Sequence, residues 1–134
     1  MASILKVDAL QGITAAGDIT ITSEGGSATM QLQQGLAKAW VGFNATTTVE
    51  DSFNVSSLSD TSSGRTTINF SNNLNNSGYA PQYSANGGTD EDLGGEGPRC
   101  AVHTRTTSSF KTTMFSGAYR DNKHNGACVN GDLA

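Results

Sequence analysis

Large apolar side chains are scarce in this chain, and residues 35–56 hold the densest group of them. The single tryptophan, Trp40, lies there with two of the five phenylalanines, Phe43 and Phe53. Burying a large apolar side chain stabilises a fold by roughly 1.5–3 kcal/mol, so the core is expected to form around this stretch. Leu36, Trp40, Phe43, Phe53 and Val55 are the expected core residues, joined by Ile68 and Phe70.

What surrounds that stretch decides the fold class. Apolar residues make up 35% of the 134 residues and charged residues only 15%, with a net charge of −4. Disordered chains combine low hydrophobicity with high net charge, and this chain lacks the second. A composition rich in Ser, Thr, Asn and Gly and poor in Lys and Glu belongs to short strands joined by many turns. So few large apolar residues make a thin core for a monomer, which predicts a homo-oligomer. The mild acidity and the lack of a basic run argue against nucleic acid as a partner. No apolar run approaches the roughly 20 residues of a membrane-spanning helix. The first residues carry no signal-peptide hydrophobic region, so the protein is expected to be made and kept in a cytoplasm unless a lysing cell releases it.

Period-two alternation recurs along the chain. Residues 1–34 are read as an extended N-terminal arm, with Leu5 and Val7 alternating against Lys6 and Asp8, and Ile19 and Ile21 against Thr20 and Thr22. Residues 30–43 support two periods: Leu32, Leu36, Trp40 and Phe43 fall near helical spacing, whereas Ala37, Ala39, Val41 and Phe43 alternate. Gly35 and Gly42 weaken a helix by roughly 1 kcal/mol each, so a short turn or helical piece near 30–34 followed by a strand over about 37–44 is expected. Phe53 and Val55, a turn at 60–64 ending in Gly64, and Thr66, Ile68 and Phe70 read as an antiparallel hairpin. Residues 72–77 read as an Asn-rich turn. Tyr79, Pro81 and Tyr83 alternate, and Pro81 places that strand at an edge or interrupts it. Residues 84–98 form an acidic, Gly-rich loop, followed by strands over 100–105 and 110–115, a turn at 121–126 and a short strand at 127–130. The prediction is an all-β chain: an antiparallel β-sandwich or jelly-roll-like domain over 35–134, preceded by the arm.

The chemistry-bearing residues are few. Asp90, Glu91, Asp92 and Glu96 fall close together in the acidic loop. Clustered oxygens suit calcium, but EF-hand spacing is missing, and a solvated loop with no metal is the expectation. His103 and His124 are the only histidines, and no Gly-x-Ser-x-Gly elbow accompanies them. No catalysis and no cofactor are expected. Cys100 and Cys128 are too few for a disulfide scaffold. They are read as buried or half-buried thiols, with pairing left open if two late strands lie side by side. Trp40, Tyr79, Tyr83 and Tyr119 carry apolar faces suited to sugars; Trp40 is assigned to the core, and the tyrosines remain candidates for binding.

Two stretches taken together resemble a known family. Leu5-Lys-Val-Asp-Ala-Leu-Gln-Gly near the N-terminus resembles the opening of fibre-like virion proteins of marine tailed phages. Gln34-Gly-Leu-Ala-Lys-Ala-Trp-Val-Gly-Phe-Asn, then Asp51-Ser-Phe-Asn-Val-Ser-Ser and Thr67-Ile-Asn-Phe, is similar to the module that follows it. The resemblance covers about half the chain. It implies a virion structural protein, a tail fibre, capsid fibre or decoration protein, usually trimeric, with an N-terminal anchor and a β-rich distal knob. Leu5, Val7 and Leu10 would then make anchor contacts with another virion protein of head or tail. Tyr79, Tyr83, Asp90 and Asp92 would offer a receptor surface, with a host surface glycan as one partner. Two alternatives stand beside this: a carbohydrate-binding module with a calcium-binding acidic loop, and a capsid decoration protein without a receptor role.

Overall fold

The structure, a computed structural model, describes residues 4–13, 19–23, 25–86, 99–116, 118–131 and 133. Its contacts divide the chain into two units, 1–36 and 37–134, where the sequence places the boundary after residue 34.

In the first unit, β1 (Thr20–Thr22) and β2 (Thr29–Gln31) form an antiparallel hairpin in which Ile21 faces Met30. Ser23 N–H donates to the Ala28 carbonyl at 2.8 Å, and Gly26 turns the chain with a φ of 74°. One helical turn, α1 (Leu32–Gly35), follows directly. The arm is therefore not uniformly extended. The two periods seen over 30–43 are used one after the other: strand, helical turn, then strand again.

The second unit is a sandwich of two antiparallel sheets. One contains β3 (Ala37–Phe43), β4 (Val49–Phe53), β7 (Ala80–Asn86) and β11 (His124–Asn130), in the order β4-β3-β11-β7. The other contains β5 (Val55–Ser62), β6 (Arg65–Phe70), β8 (Arg99–His103), β9 (Ser109–Ser116) and β10 (Ala118–Tyr119). Its central strand β9 pairs with β6 on one side and β8 on the other, and β5 flanks β6. Pro81 sits on β7 at the edge of its sheet, where a residue without an N–H does no damage to the ladder.

Alternation selects the core. On β3, Ala39, Val41 and Phe43 point inward; on β11, Ala127 and Val129 do so. From the opposite sheet Ile68, Phe70 and Phe110 meet them, with Leu74 and Tyr79 completing one cluster. Phe70, Tyr79 and Phe110 stack at centroid distances of 5.8, 5.8 and 6.3 Å, the offset and edge-on geometry that aromatic quadrupoles favour.

Three expected core residues lie elsewhere. Trp40 is 38% exposed, Phe53 52% and Leu36 54%. Leu36 precedes β3 and belongs to the first unit; for Trp40 and Phe53 the cause is parity. Once Ala39 and Val41 take the inward places on β3, Trp40 between them must face out, and Phe53, opposite it on β4, faces out with it. Phe43, Ile68 and Phe70 are buried and Val55 is partly so.

Two regions read as turns contribute to the fold instead. The polar run 121–126 supplies the start of β11, because Asn125 turns inward with its needs met: its Nδ2 donates to the Asn122 carbonyl at 2.9 Å and to that of Phe43 at 3.4 Å. Leu74, within the Asn-rich segment, is fully buried and bridges to Leu133. The hairpin forms over 55–70 and not from Phe53, which ends β4 in the other sheet; β5 runs on to Ser62 and the turn is confined to Ser63 and Gly64. Cys100 on β8 is exposed and Cys128 on β11 is half-buried; they lie in different sheets and both are free thiols.

Candidate functional site

The residues expected to make anchor contacts, Leu5, Val7 and Leu10, are 78%, 54% and 52% exposed. They share this with Ile4, Ile13, Ile21, Met30 and Leu36, so the described part of the first unit leaves most of its large apolar side chains in solvent; Ile19 and Leu32 are half-buried.

The two tyrosines of the expected receptor surface turn toward the core. Tyr79 is 3% exposed, and its hydroxyl donates to the carbonyls of Thr106 and Ser109 at 3.0 and 2.8 Å. It is a core residue whose polar tip is satisfied internally, and burial pushes its phenol above the ordinary range. Tyr83 is half-buried against the core, and its hydroxyl donates to Asn125 Oδ1 at 2.8 Å. Burial pushes its phenol up to about 12. Asp90 and Asp92 lie outside the described residues.

Tyr119, the third tyrosine, is 46% exposed and belongs to a different constellation. On the outer face of the five-stranded sheet, cross-strand pairing sets His103 beside Lys111 and Lys111 beside Thr67. The next row places Ala101, Thr113 and Arg65 side by side. β10 pairs with β9 past the end of β6, where Tyr119 packs edge-on against Phe115 at 5.4 Å and the Arg65 guanidinium lies 4.2 Å above the Tyr119 ring. Stacking of this kind holds a cation by the ring quadrupole. Ser63 Oγ donates to the Tyr119 carbonyl at 3.0 Å and anchors β10 to the β5–β6 turn. A trough of about 320 Å³ results, lined by Thr61, Ser62, Arg65, His103, Lys111 and Tyr119, with Thr112 and Thr113 at its floor.

The outer face of the four-stranded sheet is different in kind. One row carries Phe53, Trp40, Cys128 and Gln82, and the next carries Asp51, Gly42, Gly126 and Ser84. Glu50 Oε1 lies 3.8 Å from His124 Nδ1 at its border. This face is broad and shallow, and it mixes aromatic and acidic groups.

The two histidines lie on different sheets: His103 lines the cationic trough, and His124 lies beside Glu50. Among the described residues no three His, Cys, Asp or Glu side chains converge to hold a metal, and no helix is long and apolar enough to cross a membrane. The buried amide of Asn122 has no hydrogen-bond partner among the described residues; the space of about 10 Å³ beside it is below the size of any organic ligand.

Sequence reasoning missed the Arg65–Lys111–His103 grouping. Arg65 and Lys111 are single basic residues on different strands, and only strand pairing brings them together. The one available signal was phase: each falls at an outward position of its alternating run. Comparison with protein-family models, with curated proteins and with solved structures found no match.

Proposed function

We propose that this chain is a virion structural protein of the fibre-like kind its sequence resembles, homotrimeric, acting by binding and not by catalysis. Residues 1–36 attach it to another virion protein, and the sandwich is the presented domain. The observation that carries this reading is the contrast between the two units. The sandwich buries its own core, whereas Leu5, Val7, Leu10, Ile13, Ile21 and Met30 in the first unit are all exposed. A run of exposed apolar side chains marks a surface that a partner covers, and assembly would stabilise it by mass action. Assembly in the host cytoplasm and residence in the particle follow from the same reading.

Two measurements test it. The full chain should have the solution mass of a trimer at micromolar concentration; a monomeric mass overturns the trimer. Removing residues 1–24 should leave the trimer folded but stop it joining particles; particle incorporation that survives the deletion overturns the attachment role.

A further inference from the structure

We infer that the outer face of the five-stranded sheet is a binding site for an acidic saccharide, one bearing uronate-type carboxylates. The inference deepens the reading of the sandwich as a presented domain and rests on it.

Charge is the first ground. The chain carries 12 acidic residues against 8 Lys and Arg, yet this face gathers Arg65, Lys111 and His103 around one trough. In the described strands of that sheet the only acid is Asp60, and it pairs with Thr66, whose side chain turns inward. Among the described residues no carboxylate pairs with Arg65 or Lys111. Two cations held together on an acidic protein, with no counter-charge among the described residues, are complementary to an anion, and their mutual repulsion is relieved by one.

The arrangement also selects the kind of anion. Arg65 uses the face of its guanidinium on Tyr119; its N–H donors lie in the plane, where they match a carboxylate fork. The part of the Tyr119 ring that Arg65 and Phe115 leave uncovered offers an apolar contact to the C–H groups of a sugar, while the hydroxyls of Thr61, Ser62 and Thr113 can exchange hydrogen bonds with sugar hydroxyls. The trough volume of about 320 Å³ lies at the small end of ligand clefts. Nucleic acid fits less well: single strands are held by a basic groove with several stacking aromatics, and here there is one exposed ring. A second copy of the chain fits less well too, since a stable interface needs about 800 Å² per partner with an apolar centre, and this centre is cationic.

The test is binding of polygalacturonate oligomers to the full chain, with dextran as neutral control and single-stranded DNA as the phosphate polyanion. Polygalacturonate should bind, weakening as salt is raised, and dextran should not. Arg65→Gln and Lys111→Gln should each weaken binding roughly tenfold, as expected for loss of one charge-assisted contact. Trp40→Ala, on the other sheet, should leave it unchanged. Lys111 is exposed, so its variant keeps the test valid if Arg65→Gln unfolds. Dextran binding as well as polygalacturonate, DNA binding more tightly, indifference to Lys111→Gln, or no binding at millimolar saccharide would each overturn the site. Trimer mass and particle incorporation are read separately, so failure here is distinguishable from failure of the attachment reading.

Discussion

Asn54 and Asn72 hold one another by a reciprocal pair of hydrogen bonds: Asn72 N–H donates to Asn54 Oδ1 at 2.7 Å, and Asn54 Nδ2 donates to the Asn72 carbonyl at 3.1 Å. Asn54 is the one residue between β4 and β5, where the chain passes from one sheet to the other. It does so with a φ of 56°, a conformation Asn tolerates better than other side chains. Its Nδ2 also reaches the Lys38 carbonyl on β3 at 2.9 Å. A single amide thus ties the corner to both sheets.

Asn54→Ala should therefore destabilise the sandwich by about 2–4 kcal/mol, combining left-handed backbone strain with lost hydrogen bonds. Asn54→Gly should cost less, because glycine relieves the backbone and forfeits only the bonds. Urea denaturation of the three proteins separates the two contributions.

Gly64 has the tightest surroundings of the described glycines. Its φ is 69°, and an added Cβ would stand 2.6 Å from the Met114 carbonyl and 2.7 Å from the Arg120 nitrogen. Gly64 also donates its N–H to Asp121 Oδ1 at 2.7 Å and accepts from Met114 N–H at 2.8 Å. Gly64→Ala should cost about 3 kcal/mol or more and lower the thermal midpoint by many degrees, since backbone atoms cannot swing aside as a flexible side chain can.

The buried phenols predict an alkaline limb to stability. A tyrosine in the unfolded chain ionises near 10, whereas Tyr83 holds its proton to about 12 and Tyr79 is shifted the same way. Between those values the folded state binds more protons than the unfolded one, so stability is full below pH 10 and falls as pH rises toward 12. The loss from Tyr83 should be on the order of 2 kcal/mol. Tyr83→Phe should flatten this limb while costing about 1–2 kcal/mol at neutral pH, where it leaves Asn125 Oδ1 without its donor. Urea midpoints measured from pH 7 to 12 check both.

Trp40 and Phe110 should behave oppositely to what hydrophobicity ranks suggest. Phe110→Ala, in the core, should cost about 3–5 kcal/mol. Trp40→Ala removes the larger side chain but should cost only about 1 kcal/mol, because the indole is substantially solvated in the folded protein. Acrylamide should quench Trp40 fluorescence readily in the native state; a shielded, blue-shifted emission would contradict the outward orientation.

Strand formation is legible in the amino-acid order alone. Ala39, Val41 and Phe43, then Thr66, Ile68 and Phe70, alternate with a period only a pleated strand can use, and Gly64 closes a turn; Asn54, which the alternation of Phe53 and Val55 places inside a strand, is instead the corner between the sheets. Phase within a strand was less legible. Trp40 and Phe53 are the more hydrophobic choice, yet a strand has two faces, and which faces inward depends on the partner sheet. Tertiary structure alone decided that the smaller Ala39 and Val41 fill the inner layer and that Leu74 plugs its edge. It alone made Asn125 a core residue by supplying acceptors for its amide. The Arg65–Lys111 trough was invisible for the same reason: the two residues are 46 positions apart in the chain, and pairing of β6 with β9 is what makes them neighbours. Local chemistry writes the elements; burial and register, which are sums over distant residues, decide which side of each one the solvent meets.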